Sequence, residues 1–418
     1  MQQRPLWRNR DFVLLESGQL LSSLGTSLAT ISYPLLTLAV THSPAKAGVV
    51  SFVRLASFGV FSAGAGVVAD RRRRKRLMIA ADGGRVLVMA MFAVLLVTTH
   101  VGWWLIALVA FLEATGATVY AAADAGALRA VVPPQQLPGA SGAREARRSV
   151  VRLAGPPLGG ALYALSRVVP FAANGVSYLF STISLLAIRT PFDARTERLP
   201  RALRVELAEG FGYMWRHPFL RTTAFVYGAG NLLTSGLFLL IVVVGRRDDL
   251  SPGAIGALMA AVGVGTLLGS LASPLFRRLL SVRAILLLEL WTCIATWAFV
   301  AWPHAYVLAA WAILFGVAAP VTDSVVIGYR LAITPHHLVG RVESARMTIS
   351  LLGAPLGPLA AGLLLQGTNA RVTGAAFAAC GLGLALWGTL SPAIRAAPSL
   401  AELEGVHLEE PLPAVEAR

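Results

Sequence analysis

Long apolar runs, each bounded by charge, proline or glycine, recur along the whole chain. A hydrocarbon core about 30 Å thick is crossed by about 20 helical residues, so each run is long enough to span it. The pattern predicts twelve spans, near 12–40, 46–69, 77–98, 102–130, 140–166, 168–189, 219–245, 251–275, 282–301, 304–333, 339–366 and 371–391. Links as short as Thr99-His100-Val101 and Trp302-Pro303 leave antiparallel helices as the simplest connection. Arginine falls on alternate links. Arg4, Arg8 and Arg10, Arg71 to Arg76, Arg144 to Arg148, Arg189 to Arg216, Arg277, Arg278 and Arg341 share one side. Basic residues flanking spans are retained in the cytoplasm, so both termini are expected there, in an inner or plasma membrane. The longest connection divides the spans six and six. The expected organisation is a first bundle over 1–189, a cytoplasmic linker over 190–216, a second bundle over 217–395 and an acidic cytoplasmic tail over 396–418 with Glu402, Glu404, Glu409 and Glu410.

Composition supports a bilayer as solvent. Of 418 residues, 56% are hydrophobic and 14% charged, and the mean hydropathy of +0.67 is too high for an ordinary soluble domain. A net charge of +15 raises nucleic acid as a partner. The basic residues, however, sit in short runs between apolar stretches rather than along one polar face, which argues against it. Cys293 and Cys380 each lie inside an apolar run and form neither a disulfide framework nor a metal site. The stretch from Phe12 to Val40 is longer than a signal-peptide core and reads as a retained first helix.

The halves repeat at an offset of about 200 residues, a mark of parallel repeats in transporters. Gly18-Gln19-Leu20-Leu21-Ser22-Ser23 matches Gly230-Asn231-Leu232-Leu233-Thr234-Ser235. Ser43-Pro44 with Gly48 returns as Ser251-Pro252 with Gly256. Arg129, Pro134, Leu137 and Gly139 return as Arg330, Pro335, Leu338 and Gly340.

Ionisable residues within a span are costly unless paired or facing a polar cavity. Glu113 lies about ten residues, roughly 15 Å, from the outer end of span 4, and Arg54 about eight residues, roughly 12 Å, from the outer end of span 2. Their similar depth predicts a pair facing a cavity, with Glu113 as the proton-coupling residue; a static ion pair fastening two helices is the competing reading. Asp124 on span 4 and Asp323 on span 10 join Glu113 and Arg54 as proton-coupling candidates; they lie a turn or two from Arg129 and Arg330, and their symmetry suggests paired inner-gate charges, or else solvated helix ends. Glu16 is expected to touch cargo or reach water. Glu289 is expected at the membrane interface. Arg152 and Arg144, with Glu145, are expected at the inner gate.

Gly66-Val67-Val68-Ala69-Asp70-Arg71-Arg72-Arg73-Arg74-Lys75-Arg76 resembles the major facilitator motif Gly-x-x-x-Asp-Arg-x-Gly-Arg-Arg/Lys, with Arg73 in place of the usual glycine. A carboxylate beside basic residues can latch one bundle to the other; a basic run that only sets topology is the alternative. Gly155-Pro156-Pro157-Leu158-Gly159-Gly160 resembles the Gly-Pro-x-x-Gly-Gly core of proton-coupled antiporters of that superfamily, and Gly357-Pro358 in span 11 echoes it. Ordinary small-residue packing would leave the same residues. Arg8-Asn9-Arg10-Asp11-Phe12 with Gly18-Gln19, and Ala81-Asp82 with Arg85, are similar to the branch containing enterobactin and macrolide exporters.

The resemblance implies an all-α fold of two six-helix pseudo-repeat bundles that rock about a central cavity. It assigns Asp70, Arg71, Arg74, Lys75, Asp82, Arg85, Arg129, Arg144, Arg152, Gly155, Pro156, Gly159, Gly160, Arg330, Gly357 and Pro358 to gating and conformational change. Spans 1, 4, 7 and 10 line the pore in that superfamily, which adds Gln19, Tyr33, Tyr120, Asn231 and Phe238 to Glu113 as cargo-binding candidates, although packing accounts for such residues equally well. The expected function is export of a small, lipophilic molecule by a monomer exchanging it for protons. An importer of the same fold and a lipid translocator are the alternatives. No Gly-x-x-x-x-Gly-Lys-Ser/Thr, His-Glu-x-x-His or Gly-x-Ser-x-Gly segment occurs, so neither enzyme chemistry nor a cofactor is expected, and His336-His337 reads as a solvated pair in a cytoplasmic link.

Overall fold

The computed structural model describes residues 5–192, 203–335 and 338–396, without the side chains of 63, 67, 70, 71 and 203–207. Part of the expected linker, His336-His337 and nearly all of the acidic tail therefore lie outside the described residues, as do the side chains of Asp70 and Arg71.

The described chain is helical: α1 Arg10–Thr41, α2 Pro44–Arg71, α3 Arg74–Thr98, α4 Trp103–Val131, α5 Leu137–Leu165, α6 Val169–Ala187, α7 Leu203–Arg216, α8 Pro218–Arg247, α9 Pro252–Leu279, α10 Val282–Trp291, α11 Ile294–Ala301, α12 Ala305–Ile333, α13 Val339–Gly367 and α14 Ala370–Leu390, followed by a short α15, Pro392–Arg395. Every expected span coincides with a helix, the ninth in two pieces. Eleven are long and apolar enough to cross a membrane on composition alone. The exception is α5, whose first half carries Arg144, Arg147, Arg148 and Arg152. A second difference is α7, a helix inside what the sequence presents as a plain connection. Its Met214 is buried with Phe219 and Tyr329, while Trp215 stays 53% exposed. That one-sided burial holds the helix against α13, where Gly210 meets the Arg341 carbonyl.

Local chemistry sets the helix starts. Ser43 and Ser251 are matching N-caps, each accepting a bond from the amide three residues on, and each is followed by proline at the first helical position. Asn9 caps α1 through Phe12 and also donates to the Val131 carbonyl at 2.9 Å, fastening the start of α1 to the end of α4. His42, with φ 53°, closes α1 in the left-handed region and turns the chain into α2 within two residues.

Helices α1 to α6 pack among themselves, chiefly α1 with α5 and α6, α2 with α4, and α3 with α4 and α6. The second half repeats this scheme, α8 with α13 and α14, α9 with α12, and α10 and α11 with α12 and α14. The halves meet through α2 against α13 and α5 against α9. Both seams depend on glycine. A methyl group on Gly160 would lie 2.1 Å from the Pro252 carbonyl oxygen, and one on Gly256 2.3 Å from that of Pro156. The repeat-equivalent seam has Gly48 against the Pro358 carbonyl at 2.5 Å and Gly362 against that of Pro44 at 2.6 Å. Ser43 donates to Gln366 Oε1 at 2.8 Å beside it. These contacts all lie at the end of the molecule away from the termini. There the apolar cores are shared, with Val242 and Ile255 joining the first half's cluster and Ala47 the second's. At the terminus end each half has its own core, Phe12 to Phe192 in one and Met214 to Ile394 in the other. Along α2, accordingly, Ala47 and Val50 are fully buried whereas Val60 is 70% exposed.

Overpacking this seam has a directional consequence. Gly160→Val is expected to cost the closed far end about 1–3 kcal/mol and to populate the state open at that end. In a background with Cys293 and Cys380 replaced by alanine, Ile255→Cys, at a fully buried position of the shared core, should react faster with a membrane-impermeant thiol reagent when Gly160→Val is present; an unchanged rate would exclude this role for the seam.

Candidate functional site

The four helices α1, α3, α4 and α6 bring a polar cluster into the interior of the first half. Its centre is Glu113, fully buried on α4. Tyr178 of α6 donates to Glu113 Oε1 at 2.6 Å, and Arg85 Nη2 of α3 lies 3.2 Å from the same oxygen. Arg85 also donates to Asp82 Oδ1 at 3.0 Å and to Thr26 Oγ1 at 2.9 Å, and its guanidinium lies 3.6 Å from the centroid of the Tyr178 ring. The other carboxylate oxygen faces Arg54 of α2, whose Nε is 3.4 Å from Oε2. That approach is an ion pair without hydrogen-bond alignment, since neither atom has a hydrogen-bond partner.

Two carboxylates and two guanidiniums thus cancel in a region that excludes water. Arg85 is 4% exposed, Asp82 and Glu113 not at all, while the Arg54 side chain keeps 12%. Arg54 is therefore the member with a path to the outside of the cluster. It lies 5.9 Å from the ring centroid of Tyr33, a buried residue packed on Phe171 whose hydroxyl has no protein partner. Removing one member of such a buried set leaves an uncompensated charge and is costly.

Toward the terminus end a second cluster joins α1, α4 and α5. Arg144 reaches Glu16 and Asp124, both at 2.9 Å, and Arg147 lies 3.2 Å from Glu16 while donating to Gln19 Oε1 at 2.8 Å. These acids are what let the arginine-bearing half of α5 pack inside the bundle. Glu16 therefore answers arginine. Tyr120 is buried in the adjoining apolar core, whereas Glu145 pairs with Arg148 on the exposed face.

In the second half, Asp323 accepts from the Tyr227 hydroxyl at 2.5 Å, and Glu343 takes both Arg330 at 2.9 Å and Arg346 at 2.6 Å. Asp124 and Asp323 consequently do not meet Arg129 and Arg330, the arginines on their own helices. Arg129 and Arg152 are exposed. Arg74 crosses the chain to lie against Gly126, and Lys75 donates to the Ile188 carbonyl at 2.6 Å. Gly155 and Gly159 press on Ser27, Leu28 and Ile31 of α1, and Gly357 on Leu232 and Ser235 of α8. Asn231 donates to the Ser350 carbonyl at 3.1 Å, and Phe238 packs on the second half's core.

Sequence reasoning paired Glu113 with Arg54 but missed Tyr178, and it placed Arg85 only in the α3 motif. It also placed Glu289 at the interface. The structure corrects this: Glu289 lines a cavity between α8, α10, α12 and α14, because α10 turns that face inward just before the helix breaks at Thr292 and Cys293. The Asp82 and Arg85 spacing, three residues on one helix, was the signal for an inward polar face on α3. No group of metal-binding side chains occurs among the described residues.

A family model described as transmembrane secretion effector matches residues 4–416. The multidrug efflux pump Tap of Mycolicibacterium fortuitum is 25% identical over 94% of this chain and 97% of its own length. The uncharacterized MFS-type transporter YfiS of Bacillus subtilis (strain 168) is 26% identical over 64% of each chain. Among solved structures, the nucleoside transporter NupG superposes with a TM-score of 0.70 at 14% identity, covering 93% of this chain and all of its own. A bacterial homologue of the iron transporter ferroportin, in its inward-facing state, gives 0.70 at 17% identity over 92% and 98%. A bacterial homologue of the lysosomal transporter Spinster gives 0.65 at 16% over 96% and 95%. With a family model spanning the helices and a fold shared with major facilitator transporters, the chain belongs to the transmembrane secretion effector family of that superfamily, as a multi-pass membrane transporter of small molecules and not an enzyme.

Proposed function

We propose that the protein exports small, lipophilic molecules across the cell membrane by alternating access, in exchange for protons. The observation that carries this reading is Glu113, a fully buried carboxylate held between Arg54 and Arg85. With the terminus end in the cytoplasm, as the arginine distribution argues, the shared cores at the far end close the outer side. Similarity to a multidrug efflux pump supports outward transport.

In the state open to the cytoplasm the two guanidiniums and the Tyr178 hydroxyl surround Glu113, and cargo enters between the halves. Rocking exposes the seam on the other side, where cargo leaves. A proton reaching Glu113 then releases Arg54, the member of the cluster with residual exposure and no aligned hydrogen bond. Return of the proton to the cytoplasm restores the pair. Arg85 stays fixed through Asp82, Thr26 and Tyr178. Arg54 is thus the moving partner and Arg85 the standing one. The remaining inner-end pairs, Glu16 and Asp124 with Arg144, and Glu343 with Arg330, are gate charges each half satisfies internally while the inner side is open.

Glu113→Gln keeps an acceptor oxygen for Tyr178 and Arg85 and leaves the surplus charge on Arg54, the member with residual exposure, so it should remain folded yet abolish drug-induced proton movement in proteoliposomes carrying an internal pH dye; undiminished exchange would remove Glu113 from coupling. Arg85→Ala leaves Asp82 without its counter-charge, Glu113 keeping only Arg54, and should destabilise the protein by about 3–5 kcal/mol, read as aggregation in size-exclusion chromatography, whereas Glu113→Gln elutes normally. In inverted vesicles, interior acidification should drive uptake of candidate drugs. Uptake driven instead into right-side-out vesicles by exterior acidification would favour an importer, and lipid movement without a gradient would favour a translocator.

A further inference from the structure

The second half holds a cavity with an open mouth between α8, α10, α11, α12 and α14. Trp311, Phe315, Phe377 and several leucines form its walls, and threonines with Asn231 supply scattered hydroxyl and amide groups. One carboxylate lines it, that of Glu289.

Glu289 differs from the other acids of the interior. Asp82, Glu113, Glu16 and Asp124 each face an arginine, and Asp323 takes the Tyr227 hydroxyl. Among the described residues no hydrogen bond or ion pair reaches the Glu289 carboxylate; only its backbone carbonyl is used, by the Thr292 hydroxyl at 2.6 Å and the Thr292 amide. Helix α10 ends two residues beyond Glu289, so its carbonyl terminus lies near that residue. Behind Tyr227, which itself lines the cavity, Asp323 takes the tyrosine hydroxyl, and Arg346 lies 5.5 Å from the centroid of the same ring without reaching Glu289.

The pseudo-repeat sharpens the contrast. Counted from the start of the span, Cys293 holds the place in the α10 and α11 pair that Arg85 holds in α3. In the first half a long guanidinium fills the interior and answers the acids from within. In the second, a short thiol leaves space and no cation.

A pocket with broad aromatic walls and one unanswered carboxylate discriminates by charge. A neutral guest gains no ionic partner from the acid, whereas a monocation with an apolar body pairs with the carboxylate and packs on the walls, with cation–π contact to the aromatic rings in addition. We infer that this cavity is a binding site for lipophilic monocations, recognised by Glu289 and enclosed by Trp311, Phe315 and Phe377. The inference rests on the reading of the protein as a transporter of lipophilic molecules and places within the second half, apart from the passage between the halves, a site that holds one charge class of its cargo.

Trp311 provides the readout. Purified protein in nanodiscs should show saturable quenching by tetraphenylphosphonium, with binding confirmed by equilibrium dialysis, and Trp311→Phe should lose most of the quenching while dialysis still detects the cation. Glu289→Gln should weaken tetraphenylphosphonium binding by about tenfold, about 1.4 kcal/mol, with triphenylphosphine oxide, a neutral molecule of similar shape, bound as in the wild type. The variant keeps the side-chain volume and replaces a carboxyl that no protein group holds, so it should fold and melt no lower than the wild type. Equal tetraphenylphosphonium affinity in Glu289→Gln, or no saturable binding to the wild type, would overturn the proposal. The titration uses no gradient, so Glu289-dependent binding without transport would reject the export reading and leave the site standing.

Discussion

Close approach of backbone to backbone at two glycine seams governs the conformation of this protein. In hydrocarbon, water does not drive helices together, so association depends on contact area and on small residues that let main chains touch. Here Gly160 and Gly256 bring α5 onto α9, and Gly48 and Gly362 bring α2 onto α13, with carbonyl oxygens where side chains would otherwise stand. Such an interface is short-ranged. It holds firmly while registered and offers little once the halves tilt, which suits two alternative packings better than a continuum of intermediate ones.

The halves share their seam geometry but differ in how they treat charge. In the first, Glu113, Asp82, Arg85 and Tyr178 form a closed set of polar partners deep among apolar neighbours. In the second, the same interior holds Glu289 beside open volume, and the ion pairs of Arg330 and Arg346 with Glu343 lie toward the terminus end. A duplicated scaffold has thus been filled in two ways, one interior occupied by its own side chains and the other left concave.

The fold was legible because hydropathy, arginine placement and the Ser-Pro and Gly-Pro repeats are periodic signals that survive without knowledge of partners. The depth of Glu113 and Arg54 could be counted along their helices for the same reason. Rotation about the helix axis was harder. Asp124 and Arg129 are five residues apart, which turns them to different faces, so Asp124 takes Arg144 from α5. Asp323 and Arg330 share a face but stand two turns apart, and each finds a partner on another helix, Tyr227 and Glu343. Tyr178 was invisible as a partner of Glu113 because a tyrosine in an apolar span carries no sign of where its hydroxyl ends. Glu289 was misplaced because nothing in the run from Val282 to Ala301 announces the break after Trp291.

The arginines of α5 bear on how the chain is built. A segment carrying Arg144, Arg147, Arg148 and Arg152 is a poor candidate for entering lipid by itself. Its neutralising acids, Glu16 on α1 and Asp124 on α4, emerge from the ribosome earlier. Membrane integration of the fifth span therefore depends on helices already inserted, and the order of synthesis supplies the counterions before the cations that need them.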